Sequence, residues 1–187
     1  RIVGGDTAKR GAWPWQVQLK MAYSSSPFCG GVLVAPEWVV TAAHCLDDDG
    51  IDEASNLINY ACLGDSETAS FDENSYCFAS GWGRTSYRGE RPDLLQKLKM
   101  ALIPTAVCNH RISYSGALTE NMICAGYWEG GGGTCQGDSG GALVCAGDDS
   151  RWYLTGLTSW GARCATRYKP YVFTKVSNYV AWLDDKM

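Results

Sequence analysis

Histidine is scarce in this sequence: the 187 residues contain two, His44 and His110. No apolar run reaches the 18 or more residues that a membrane-spanning helix needs, so no membrane partner is expected. There is no C-x2-C pair, and with so few histidines the cysteines do not read as zinc ligands. The net charge is −4 and no basic cluster stands out, which excludes nucleic acid as the expected partner. Asp47, Asp48, Asp49 and Asp52 lack the spacing of an EF-hand loop, so no calcium, other metal or cofactor is expected. Internal repeats, Asn-x-Ser/Thr sequons and a secretory leader are also missing. The last point reads as a processed piece of a secreted precursor.

Cysteine, by contrast, is plentiful. Nine in one chain imply an oxidising, extracellular compartment, and the odd count leaves one without an internal partner. With 22 Gly and 6 Pro, turn signals are dense. The length suits one domain or two small lobes sharing a core. Short apolar runs at 16–20, 31–34, 38–41, 76–82, 97–103, 122–125, 141–145, 152–160 and 171–176 read as strands. The tail reads as the one regular helix, capped by Ser177, with Tyr179, Val180, Trp182 and Leu183 on an apolar face. Residues 104–110 suggest a short helical turn. Residues 47–75 are acidic and lack alternation, and read as a connecting segment.

Two short motifs carry chemistry. Residues 134–145 read Thr-Cys-Gln-Gly-Asp-Ser-Gly-Gly-Ala-Leu-Val-Cys, which places Ser139 on a glycine-rich turn. Such a turn can bring backbone N–H groups close to a substrate carbonyl. Residues 41–45 read Thr-Ala-Ala-His-Cys and supply His44, a side chain able to take a proton from a serine at neutral pH.

These motifs belong to a longer series: Arg1-Ile2-Val3-Gly4-Gly5, Trp13-Pro14-Trp15-Gln16-Val17, Phe28-Cys29-Gly30-Gly31, Ser80-Gly81-Trp82-Gly83, Met122-Ile123-Cys124-Ala125-Gly126 and Ser159-Trp160-Gly161. In that order, nearly end to end, the chain resembles a trypsin/chymotrypsin-type secreted serine protease. The resemblance implies an all-β fold of two packed six-stranded barrels, with the active site between them and a C-terminal helix. One peptidase domain would cover 1–187: a first barrel over about 2–62, a second over about 77–176, and the helix over 177–187. It implies the bridges Cys29–Cys45, Cys77–Cys145, Cys108–Cys124 and Cys135–Cys164, with Cys62 left for a propeptide. It makes Ser139 the nucleophile and His44 the general base, with the N–H groups of Gly137 and Ser139 as the oxyanion hole. Ser159, Trp160 and Gly161 would pair with the substrate backbone. Cleavage after Arg1 would free Ile2 to pair with Asp138. The implied partners are protein or peptide substrates and protease inhibitors, and a monomer is expected.

The departures matter as much. Only 31 residues separate Cys45 from Cys77, where the family usually has more than twice as many. The lost part would carry several strands of the first barrel and the aspartate that completes the triad. The first barrel is therefore expected to be truncated, with open edges. None of Asp47, Asp48, Asp49 and Asp52 sits in a matching motif. Arg1 is still attached, as in a proenzyme. In the specificity pocket, Gly133 takes the floor, Tyr171 takes a wall position usually held by glycine, and Arg163 lies near the rim. An elastase-like preference for small apolar residues before the cut bond follows if the ring of Tyr171 fills the pocket. Two expectations result: a serine endopeptidase, or a non-catalytic homologue that binds a partner through the old cleft.

Overall fold

Turn residues cut the chain into short segments whose side chains alternate between core and solvent, and such segments pair as antiparallel strands. The computed structural model describes residues 2–21, 27–46, 51–54, 62–63 and 71–187. Its strands run β1 (Asp6–Thr7), β2 (Gln16–Met21), β3 (Pro27–Ala35), β4 (Trp38–Val40), β5 (Ile51–Ala54), β6 (Cys62–Leu63), β7 (Cys77–Gly81) and β8 (Gln96–Ile103). A short helix, α1 (Thr105–Cys108), follows. Then come β9 (Met122–Gly126), β10 (Ala142–Ala146), β11 (Trp152–Trp160), β12 (Tyr171–Lys175) and the C-terminal α2 (Val180–Lys186).

The second lobe is a closed barrel. Strands β7, β10, β11, β12 and β9 are successive antiparallel neighbours, and β8 pairs with both β7 and β9. Closure pairs these six strands on both sides except at overhanging ends such as Tyr153–Leu154 of β11. Strand β8 shows why the sequence folds this way. Gln96, Leu98 and Met100 point inward and are buried, while Lys97, Lys99 and Ala101 between them face outward. The barrel interior packs Ala79, Met100, Leu143 and Phe173 around Ile2.

The first lobe is a four-stranded sheet in the order β4-β3-β2-β5, and among the described residues it does not close. With 31 residues between Cys45 and Cys77, the chain lacks the length to add the strands that closure requires. Within that stretch the expectation of a plain connecting segment needs correction. Ile51–Ala54 pairs antiparallel with the free edge of β2, and Cys62–Leu63 runs parallel beside Tyr153 and Leu154 of β11. Edge pairing uses backbone N–H and C=O groups, so it does not need the side-chain alternation that marks a half-buried strand.

The truncated lobe is anchored by a core shared with the barrel. Trp13, Trp15 and Val32 pack with Phe78, Val144, Leu154, Leu157 and Leu183. The ring of Trp13 lies 5.2 Å from that of Phe78 and 5.3 Å from that of Trp152. Buried Ser80 donates from Oγ to Gln16 Oε1 at 2.7 Å, a polar tie across the same interface. Four disulfides join Cys29–Cys45, Cys77–Cys145, Cys108–Cys124 and Cys135–Cys164, with Cα separations of 4.0 to 6.5 Å. They use eight of the nine cysteines, so Cys62 has no intrachain cysteine left to meet.

The tail differs from its sequence pattern in two ways. A single turn of 3-10 helix, Val176–Tyr179, precedes α2, so Ser177 lies inside that turn and does not cap the helix. Of the expected apolar face only Leu183 is buried, while Trp182 stays 58% exposed. No described helix is long and apolar enough to cross a membrane.

Candidate active site

His44 stands on a short turn of 3-10 helix, Ala43–Cys45, that follows β4. The next residue, Cys45, is bonded to Cys29 of β3, which fastens this turn to the sheet. Ser139 approaches from the other lobe. The N–H of Gly30, beside Cys29, donates to the Ser139 carbonyl at 2.7 Å. Cys45 Sγ lies 3.7 Å from that same carbonyl oxygen. On the barrel side, Gly140 N–H donates to Thr158 O at 2.8 Å and Thr158 N–H donates to Gly141 O at 2.9 Å. The turn is thus held from both lobes. Gly140 has φ +77°, and a Cβ there would collide with Thr41 Oγ1 and stand 2.5 Å from Gly30 O. A side chain at this position would force the two lobes apart.

The two sequence motifs therefore meet where the lobes join, with His44 exposed and Ser139 half-buried. Among the described residues, no hydrogen bond joins Ser139 Oγ to the imidazole, and no carboxylate accepts one from His44. Asp47, Asp48 and Asp49 lie outside the described residues. Asp52 belongs to β5, at the opposite edge of the sheet from the strand that leads to His44. One ring nitrogen of His44 and the sulfurs of Cys29 and Cys45 come within 4.8 Å of one another. Both sulfurs are spent in the disulfide, so this is not a thiolate metal site. The N–H groups of Gly137 and Ser139 donate to no backbone acceptor among the described residues.

Asp138 is fully buried behind the turn. Its Oδ1 accepts from Gly83 N–H at 2.8 Å and its Oδ2 from Cys135 N–H at 2.9 Å. Burial pushes its carboxyl up to about 6, and the two hydrogen bonds offset part of that push. The chain start is docked nearby. Ile2 is fully buried, and Val3 exchanges two backbone hydrogen bonds with Gly133, at 2.8 and 3.1 Å. Arg1 lies outside the described residues.

The pocket positions come together as well. Ser159 falls where the pairing of β11 with β12 slips by one residue between Thr158 and Trp160, and such a bulge re-aims a side chain. Trp160 is stacked edge-on against Tyr114 at 4.9 Å. Tyr171 opens β12 and turns inward. Its ring lies against Gly161, where a Cβ would stand 2.8 Å from two ring carbons, and meets Phe173 edge-on at 6.0 Å. Burial pushes the phenol up to about 12, and the nearby charge of Asp138 adds to the shift. Thr134 Oγ1 is buried close to the phenol without a hydrogen bond of normal geometry, although its nearness slightly favours the ionised phenol. Arg163 is exposed at the rim, with its guanidinium 5.7 Å from the ring of Tyr87.

Sequence reasoning missed four residues. Thr134 adjoins Gly133 and could have been read from that position. Arg91 donates to Pro27 O across the cleft, and its guanidinium would lie 3.3 Å from a Cβ placed on Gly137. Leu46 and Trp182 border the cleft below His44. Nothing in the motifs signals either Arg91 or Trp182, since both reach the site only through the fold.

Comparison with known proteins agrees with this geometry. The family model described as Trypsin matches residues 2–57 and 51–183. A curated relative, "Transmembrane protease serine 5" of Homo sapiens, is 34% identical over 238 residues, covering 99% of this chain and 51% of the relative. The chain thus spans about half the length of that relative. The alignment is longer than the chain's 187 residues, so the relative carries residues here that this chain lacks.

Proposed function

The chain belongs to the trypsin family of serine proteases, and on that premise we propose that it is a serine-type endopeptidase domain acting through Ser139 and His44. One observation carries the reading: hydrogen bonds from both lobes hold the Ser139 turn beside the loop that bears His44. Ser139 Oγ attacks the substrate carbonyl carbon while His44 accepts the hydroxyl proton. The N–H groups of Gly137 and Ser139 receive the oxyanion, an interaction worth about 10²–10³ in rate per donor. His44 then passes its proton to the leaving amine. Water, deprotonated by the same imidazole, releases the acyl group and restores Ser139.

Removal of Arg1 would free the Ile2 ammonium close to buried Asp138, the activation step expected of a zymogen. The ring of Tyr171 in the pocket, with Gly133 supplying no carboxylate, favours small apolar residues before the cut bond, as in elastase-like members. Ser159, Trp160 and Gly161 would pair with the substrate backbone. The domain would comprise a truncated first barrel over about 2–62, a second over about 77–176 and the tail, working outside the cell as a monomer open to protease inhibitors.

A second reading has its own support: no described carboxylate orients His44. In this family the loss of the triad aspartate costs about 10⁴ in kcat, roughly 5–6 kcal/mol of barrier. The chain would then be a non-catalytic homologue that binds a partner. Labelling by a serine-directed organophosphate, read by mass spectrometry after removal of Arg1, separates the two. Labelling confined to Ser139 and lost in Ser139→Ala supports the enzyme. A chain that stays unlabelled while folded sinks it.

A further inference from the structure

Residues 84–91 read Arg-Thr-Ser-Tyr-Arg-Gly-Glu-Arg and form a basic hairpin. Thr85 N–H donates to Glu90 O at 3.0 Å, and Gly89 N–H closes the tip onto Ser86 O at 2.9 Å. Arg84 N–H donates to Gln136 O at 2.8 Å, which seats the hairpin against the Gly137 turn. Tyr87 at the tip is 47% exposed. The guanidinium of Arg88 lies 5.3 Å from the centre of its ring, and that of Arg163 lies 5.7 Å from the same centre. Two cations from different loops therefore share one exposed ring.

Three observations set this pair apart from ordinary surface charge. First, it is built against a local cost. Arg88 has φ +63° at the third position of the Ser86–Gly89 turn, a conformation ordinarily left to glycine or asparagine. Second, both supports are fastened to one another. Arg163 precedes Cys164, whose bridge to Cys135 fixes the rim loop, and Ser86 O lies 3.5 Å from Cys135 Sγ. The two cations are thus positioned before any ligand arrives. Third, no described carboxylate forms an ion pair with Arg88 or Arg163, whereas Arg151 and Arg167 are paired with Asp149 and Glu129. Two like charges on one ring repel, and an anion between or beside them removes that cost.

The chemistry favours a polypeptide as the source of the anion. Glu90 within the hairpin and Asp93 just after it are exposed, and the chain carries a net charge of −4. A long polyanion running past the tip would meet charge of its own sign, whereas a short acidic segment would not. The guanidinium fork matches a carboxylate, and an exposed tyrosine between arginines has the composition of a protein–protein hot spot. We propose that Tyr87, Arg88 and Arg163 form a binding site for an acidic segment of a partner polypeptide. Its carboxylates pair with the two guanidiniums, and its aliphatic stems rest on the Tyr87 ring. Neither arginine enters the acyl-transfer steps, so the site stands or falls apart from the function proposed above.

Binding is measured on the full chain carrying Ser139→Ala, so that no probe can be cleaved. The probe is fluorescein-labelled Gly-Glu-Asp-Glu-Asp-Gly-amide, with a twin in which Gln and Asn replace the acids. Fluorescence anisotropy is followed at about 20 mM salt, where exposed charges are weakly screened. The acidic probe should saturate and bind at least about tenfold more tightly than its twin. Arg88→Gln and Arg163→Gln should each weaken it about threefold, and together about tenfold, the range of exposed charge pairs. Arg88→Gly relieves the positive φ, so it should weaken binding as Arg88→Gln does while unfolding no earlier in urea. Arg151→Gln, at the paired arginine between β10 and β11, should leave binding unchanged. No saturation, or equal binding of the two probes, overturns the proposal. An equal loss in Arg151→Gln and in the double variant reduces the effect to overall charge and overturns it too. So does a heparin hexasaccharide that binds through Arg88 and Arg163 when the acidic peptide does not, which makes the occupant a sulfated glycan. A loss of stability in Arg88→Gly without weaker binding makes the pair a structural brace and sinks the site.

Discussion

Replacing Tyr171 by alanine tests the proposed placement of its ring in the specificity pocket without relying on catalysis. The ring lies against Gly161 and edge-on to Phe173, and it is buried deeply enough to push its phenol up to about 12. Truncation removes roughly 100 Å³ of side chain, and at about 24 cal/mol per Å³ the cavity term alone is about 2.4 kcal/mol. Because Tyr171 is only partly buried, the total should stay near that figure, below the roughly 3–5 kcal/mol typical of fully buried aromatic-to-alanine changes. Urea unfolding of the two proteins measures this difference. The new cavity should then bind a small phenol such as p-cresol. With a Kd of about 1 mM, 10 mM ligand restores about 1.4 kcal/mol. If the enzyme is active, the variant should also begin to accept Phe before the cut bond. A loss below about 1 kcal/mol together with no rescue by p-cresol would refute the placement of the ring in the pocket, and the small-residue preference with it.

Asp138 should give the protein an unusual acid response. Its folded carboxyl titrates at about 6 against an ordinary 3.8, so the folded state holds a proton in that window that the unfolded state has lost. Stability should therefore rise by about 3 kcal/mol as pH falls from 7 toward 4, and Asp138→Asn should flatten that slope in urea melts. Asp72 and Asp149, held below the ordinary range by their hydrogen bonds, act in the opposite sense but only at still lower pH. Ser80→Ala should cost about 1–3 kcal/mol, because it strands the buried Gln16 carbonyl oxygen at the lobe interface; a change under about 0.5 kcal/mol would show that tie to be idle. Removing the Cys77–Cys145 bridge as a double alanine variant should cost about 4 kcal/mol, from a loop of 68 residues, with denaturant midpoints as the readout.

Much of the site could be read from local residues. Ser139 on its glycine turn and His44 beside Cys45 are marked by short motifs, and the two motif segments meet in the structure. The closed second barrel was legible because strand periodicity such as that of Gln96–Ile103 survives intact. The truncation of the first lobe was legible from a count of residues between two cysteines. Strands β5 and β6 were not, because an edge recruits backbone without asking for a side-chain pattern.

Sequence alone therefore determined the family, the proposed nucleophile and base, the bridge partners implied by that family, and the shortage of chain for a full first barrel. These depend on residue identity and on contour length. Tertiary structure alone decided that Tyr171 turns toward Asp138, that Arg91 reaches Gly137, and that Leu46 and Trp182 line one groove beneath His44. Each of these joins residues from distant parts of the chain. Contacts of that kind are set by how two lobes and a tail pack, and no local pattern encodes the packing partner.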